Sequence, residues 1–184
     1  MAELDNFKLK LGDPAPLFDL PGVDGRQHRL QDFGRSQLLL VIFSCNHCPY
    51  AQAWEGRIID LAREYSPKGV ATVVINSNET EHYPTDSFDK MVERAKEKGY
   101  TFPYLRDETQ LVAKDYGALV TPHAFLFSKD RKLVFQGKID DNGENPSKVK
   151  RQFLREAIVS SLEGKPVPTP VTPVLGCSVK WRTD

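Results

Sequence analysis

Two stretches of this chain are apolar without a break. "LLLVIFS" at 38–44 and "VATVVIN" at 70–76 are rich in strand formers and have the length of central strands covered on both faces. Between them Trp54, Ile58, Leu61 and Tyr65 recur at helical spacing with Ala62 beside them, which predicts a helix from about Cys48 to Tyr65, stopped by "SPKG". A second helical face carries Phe88, Met91, Val92 and Ala95, with Asp86 as the expected N-cap and Gly99 as the stop. "YTFPYLRD" reads as extended. "DETQLVAKDYG" reads as a short helix capped by Asp107 and stopped by Gly117. "AFLFS" and "LVFQG", joined by the turn "KDRK", form an antiparallel hairpin, and Asp24-Gly25 marks an earlier hairpin within 14–33. A last helix is expected from Asn145-Pro146 to near Gly164, with Val149, Phe153, Ala157, Ile158 and Leu162 on one side. Four prolines within 166–173 then keep the tail extended.

This order, a strand–helix–strand crossover followed by an antiparallel hairpin, predicts an α/β fold with a central mixed sheet and helices on both faces. No repeat and no second domain are visible, so 1–184 reads as one domain, with the tail 165–184 wrapping it. With 184 residues the chain can build a full core. Twenty-five basic residues balance twenty-five acidic ones, so nothing in the charge points to nucleic acid. No apolar run approaches the ~20 residues of a membrane helix, and "MAELDNFKLKLGD" has no leader-like apolar core. The cytosol is therefore the expected compartment. Three cysteines are too few for a disulfide framework, and in a reducing compartment a close pair points to redox chemistry or metal.

That pair lies in "FSCNHCPYAQAW", between a strand and a helix. Helix N-terminal amides would point at Cys45 and favour its thiolate, the nucleophile toward a substrate disulfide. Cys48, about one turn on, would resolve the mixed disulfide. A protonated His47 would add positive charge nearby. Two alternatives compete: a metal site drawn from Cys45, His47, Cys48 and Cys177, which lacks the second spaced ligand pair of structural zinc, and two packed, inert thiols. His28 and His82 lie in polar stretches and read as solvated.

"VTPHAFLF" is the second signal. A Thr121–Pro122 bond before a strand is a place for a cis peptide, which would leave the preceding backbone free to pair with an extended substrate chain, although spacing alone favours a trans proline that merely starts an edge strand. Thr121 would then face the cysteines, and His123 would lie near them and respond to pH. The third signal is Cys177. At ~3.1 Å per residue the thirteen residues from Gly164 reach ~40 Å, beyond the ~16 Å radius of gyration of a chain this long. The tail can therefore return Cys177 to the pair, as a third redox thiol or as a buried filler, with Val174, Leu175, Val179 and Trp181 to bury.

Taken together, "GDPAPLFDL…DGRQHRLQDF", "LLLVIFSCNHCPY" and "VTPHAFLFSKDRKLVFQGKIDD" resemble the peroxiredoxin-like (AhpC/TSA, TlpA-like) branch of the thioredoxin superfamily. "CNHCPY" with a terminal "GCSVKW" is similar to an uncharacterised thioredoxin-like subgroup. The resemblance implies a thioredoxin-like fold with an added N-terminal hairpin, Cys45 and Cys48 as redox pair, and Pro122 as the cis proline. It implies a thiol–disulfide oxidoreductase that needs no cofactor or metal. The substrate would be a protein or small-molecule disulfide, with electrons from a thioredoxin- or glutathione-type donor. Two departures stand out. The Pro and Thr/Ser slots of a peroxiredoxin hold Val41 and Cys45 when counted from Cys48, or Leu38 and Ile42 from Cys45, which argues against the alternative of a thiol peroxidase. The buried acid of thioredoxins, six residues before the first cysteine, is Leu39, leaving Glu79 or Glu81 as conceivable substitutes.

Overall fold

The structure, a computed structural model, describes residues 6–183. Its centre is a five-stranded mixed sheet in the order β5-β4-β3-β7-β8. The strands are β3 (Leu38–Phe43), β4 (Val70–Asn76), β5 (Tyr104–Arg106), β7 (His123–Phe127) and β8 (Leu133–Gly137). The first three run parallel to one another, and β7 and β8 pair antiparallel. The apolar run of β3 is explained by its burial on both sides. Leu38, Leu40 and Ile42 face Trp54, Ile58 and Leu61 of α1 (Pro49–Tyr65) and Leu154, Ala157 and Ile158 of α4 (Phe153–Leu162). Leu39, Val41 and Phe43 face the opposite way, onto Phe18, Leu20, and Val112 and Tyr116 of α3 (Leu111–Tyr116). Period-two alternation against two helical layers is the physics of a sheet core, and truncating Leu40 to alanine would cost about 2–5 kcal/mol.

The N-terminal hairpin pairs β1 (Asp19–Pro21) with β2 (Gln27–Arg29), turning at Gly25, as expected. Three boundaries differ from the sequence reading. Ser87, not Asp86, caps α2 (Phe88–Lys98), accepting from the Lys90 amide, and Asp86 is fully buried. Asp107 does satisfy the first amides of α3, Val112 and Ala113, but from five and six residues away, because Gln110 enters the helix at positive φ. The last helix begins at Phe153: Pro146–Lys148 make only a 3-10 turn, since Lys150 and Arg151 instead give their amides to the Asp141 carboxylate.

The tail is extended as its prolines require. It runs along the edge strand, where Gln136 exchanges backbone bonds with Pro170 and Thr172. It then crosses the end of the sheet, where β9 (Cys177–Ser178) pairs antiparallel with β6 (Val120–Thr121). Val179 is buried, whereas Leu175 and Trp181 remain exposed, so the tail is held by backbone pairing more than by the apolar anchoring expected of it. Among the described residues no helix is long and apolar enough to cross a membrane.

Candidate functional site around Cys45 and Cys48

The site sits at the carboxyl end of β3, where parallel strands leave a crevice between their following loops. Cys45 and Cys48 are 3 % and 0 % exposed, and both are free thiols. The Thr121–Pro122 bond is cis and Thr121 faces the pair, its hydroxyl oxygen 3.3 Å from Cys45 Sγ. The Cys48 thiol donates to the Thr121 carbonyl at 3.5 Å.

The helix does not serve the cysteines as the spacing suggests. Since α1 starts at Pro49, Cys48 is its N-cap, and Pro49 has no amide to offer. The Ala51 amide favours a thiolate on Cys48 rather than on Cys45, without closing a capping hydrogen bond. The two thiols titrate as a unit. Cys45 donates toward Cys48, which pushes Cys48 down to about 4 despite its burial, helped by the thiol and amide of Cys177. The same hydrogen bond, then burial, then the charge of Asp86 hold Cys45 above its ordinary value. The expectation that Cys45 is the more acidic thiol is thus reversed in the reduced pair.

Asp86 is the residue that sequence reading missed. Its buried carboxylate accepts from the Asn46 amide at 2.6 Å, from the side-chain amides of Asn76 and Asn78 at 3.1 Å each, and pairs with His47 Nδ1. Asn46 is itself fixed by the Tyr104 hydroxyl at 2.7 Å, and the His47 ring stacks on Tyr83. A buried acid does lie at the site, but it comes from the loop before α2 and its charge acts on Cys45, not on Cys48. Aspartate followed by serine offers two successive capping residues, and only the choice of Ser87 as cap would have released Asp86 for another role. Glu79 is occupied elsewhere, accepting from the Glu81 amide and the His82 amide and ring. His82 is exposed as expected, but His28 is largely covered, against Asp24 and Phe33.

His123 is also corrected. It lies fully buried on the opposite face of the sheet, against Phe7 and Phe125, and burial pushes its pKa down to about 3. It stays neutral across the physiological range and is no pH sensor for the cysteines. Cys177 does return to the site: it is half-buried, packs against Cys45, Cys48 and Ala51, and lies opposite Thr121 in the β6–β9 pair. The backbone before the cis proline is therefore not free for a substrate chain; the chain's own tail is paired with it.

Cys45, His47 and Asp86 bring one sulfur, one nitrogen and one oxygen within 4.8 Å of one another, a grouping with the donor chemistry of a transition-metal site. It differs from the ligand set read from sequence, taking Asp86 in place of Cys48 and Cys177.

Comparisons with known proteins agree with this fold. An uncharacterized conserved protein from Geobacillus kaustophilus is 44% identical, with a TM-score of 0.91 over 96% of this chain and 94% of its own. A hypothetical protein from Sinorhizobium meliloti 1021 is 38% identical, with a TM-score of 0.91 over 96% and 97%. The thiol-disulfide oxidoreductase ResA of Bacillus thuringiensis subsp. konkukian is 24% identical over 151 residues, 81% of this chain and 79% of that protein. This last similarity overturns the cytosolic expectation, because the ResA proteins are extracytoplasmic. That expectation rested on the absence of a leader-like apolar core and of a membrane-length apolar run, neither of which by itself fixes a compartment. Residues 11–136 match the AhpC/TSA family signature, and with the thioredoxin-like sheet, the added hairpin and the cis proline in place, the chain belongs to the AhpC/TSA family of the thioredoxin superfamily.

Proposed function

We propose that this protein is a thiol–disulfide oxidoreductase that works through Cys45 and Cys48. The observation that carries this is the pair itself: two buried free thiols that titrate as a unit, one pushed down to about 4, both bonded to Thr121 beside a cis proline at the end of a buried strand. Cys45, the less buried of the two, takes the role of attacking thiol. Its proton passes to the neighbouring Cys48, which leaves the negative charge on Cys45, close to the His47–Asp86 pair. A protonated imidazole there stabilises that thiolate. Cys45 displaces one sulfur of the substrate disulfide, and Cys48 then attacks the mixed disulfide and releases the second substrate thiol. The substrate class is a protein or small-molecule disulfide, and a thioredoxin- or glutathione-type dithiol or thiol returns the electrons. Trapping tests this: Cys48→Ser mixed with a chromogenic aromatic disulfide should retain a covalent adduct on Cys45, and Cys45→Ser should retain none at that site. No adduct on Cys45 at any pH would refute the assignment.

A second reading rests on a separate observation, the Cys45–His47–Asp86 grouping. These residues would hold a zinc-like ion through thiolate, imidazole and carboxylate, and the ion would keep Cys45 deprotonated. Asp86 would have to exchange part of its amide hydrogen bonds for the metal. Competition against a chromophoric chelator under reducing conditions decides: tight zinc binding lost in both Cys45→Ser and Asp86→Ala supports it, and binding unaffected by either removes it.

A further inference from the structure

Three sulfurs stand in a row at this site. Cys177 packs against the buried cluster of Cys45, Cys48 and Ala51, and its titration is tied to Cys48 and not to Cys45. Both the thiol and the backbone of Cys177 favour a thiolate on Cys48. The position is enforced from three directions. Thr121 pairs with Cys177 across β6–β9, and the Val179 amide bonds to the Leu119 carbonyl at 3.1 Å. Gly176 lies so close to the Thr121 backbone that any Cβ would collide with the Thr121 carbonyl, so only glycine lets the strand approach this far. Beyond the cysteine, the Lys180 amide and carbonyl are held by Asn78, Glu79 and Gln110. Exposure rises along the row, from nearly zero at Cys45 and Cys48 to half-buried at Cys177.

The geometry points to Cys177 as a third exchange thiol, carried by the tail as an internal substrate strand, which takes the disulfide from the buried pair and presents it near the surface. This rests on Cys45 and Cys48 being the redox pair. After turnover the pair is a Cys45–Cys48 disulfide. The Cys177 thiolate attacks Cys48 Sγ, the Cys48–Cys177 bond forms, and the Cys45–Cys48 bond breaks. Cys45 leaves with the electron pair and takes up the proton that Cys177 released. The chain is neither oxidised nor reduced by this step; the disulfide moves, and Cys45 is free again while an external dithiol meets the half-buried Cys177 sulfur. The electrostatics favour the step at the right moment. In the reduced protein burial and then the neighbouring Cys48 push Cys177 up to about 11, but a Cys48 bound in a disulfide no longer opposes ionisation, and Lys180 still favours it.

Disulfide mapping across a glutathione redox series tests the exchange, with free thiols blocked in acid before digestion. The expected result is both Cys45–Cys48 and Cys48–Cys177 in the unmodified chain, and Cys48–Cys177 as the main disulfide in Cys45→Ser and in Cys45→Ala. Reduction of the oxidised protein by an external dithiol should slow several-fold in Cys177→Ser. If Cys177 stays free in both Cys45 variants and the reduction rate is unchanged, the exchange is overturned while the Cys45–Cys48 reading stands. If the unmodified chain forms no Cys45–Cys48 disulfide at any potential, both are overturned.

Discussion

The cysteine pair is enclosed by two walls of opposite construction. On one side Asn46, His47, Asn76 and Asn78 converge on the buried carboxylate of Asp86, and the wall is made of charge and side-chain hydrogen bonds. On the other side the wall is backbone: β9 lies on β6, and Gly176 closes against Thr121. The difference separates two tasks. A fixed negative charge beside Cys45 opposes its ionisation, and a strand of the chain's own tail lies over the approach to Thr121 and the pair. A buried carboxylate cannot be loosened without leaving its donors unpaired, whereas a paired strand can peel away at the cost of a few exposed hydrogen bonds.

The largest effect should come from breaking the charged wall. Asp86→Ala leaves three amide donors and an imidazole without their acceptor in a dry site, which should cost about 3–5 kcal/mol in urea unfolding. Asp86→Asn, which keeps one acceptor oxygen, should recover part of that loss. In both variants alkylation of Cys45 should quicken at neutral pH, because the negative charge that opposes its ionisation is gone.

The backbone wall should yield to Gly176→Val. The added side chain forces β9 off β6, and a displaced edge pair of this kind costs about 1–3 kcal/mol, less than the loss of Asp86. Its signature is accessibility: Cys48 and Cys177 should both react faster with a bulky maleimide. Unchanged labelling with a valine at 176 would mean that the tail does not control access.

The histidines behind the walls give a smaller, pH-dependent contrast. His123 titrates near 3 when folded and near ~6.5 in an unfolded chain. The unfolded state therefore binds the proton first as pH falls, so stability contributed by the neutral ring is complete above ~6.5 and is lost progressively toward pH 3. His123→Phe should flatten the stability profile in that window and leave the profile above pH 7 unchanged. His47→Gln should do the reverse, changing stability by about 1 kcal/mol or less because the ring is part-exposed, while lowering Cys45 reactivity. Equal effects of the two substitutions on Cys45 would erase the distinction between the walls.

Much of this was legible from local patterns. The unbroken runs of β3 and β4, the Trp54–Tyr65 spacing and the Asp24-Gly25 turn depend on neighbours in sequence, and each stands where its pattern put it. The return of Cys177 lies within the reach that chain stiffness and length allow, whereas the cis bond before Pro122 was implied by the family resemblance and not by spacing. The helix at 146 did not form, because a local proline preference of a few tenths of a kcal/mol yields to the Asp141 carboxylate that captures the amides of Lys150 and Arg151. Within the helix the Ala51 amide serves Cys48, while Cys45 receives only the Cys48 amide ahead of the first turn, because the helix starts at Pro49, which has no N–H.

By itself, then, the sequence determined the strands, the main helices, the place of the CxxC motif between strand and helix, and the reach of the tail, since all of these are set by periodicity, stereochemistry and contour length. Only the tertiary structure decided the chemistry around the motif. Asp86 is thirty-eight residues beyond Cys48, and nothing local distinguishes a capping aspartate from a buried one until β4 brings Asn76 and Asn78 to the same point. His123 is two residues from Thr121, yet strand alternation turns it to the opposite face, where burial keeps it neutral. Charge and burial depend on what long-range packing places within a few ångströms, and that distance is not written in the spacing of residues along the chain.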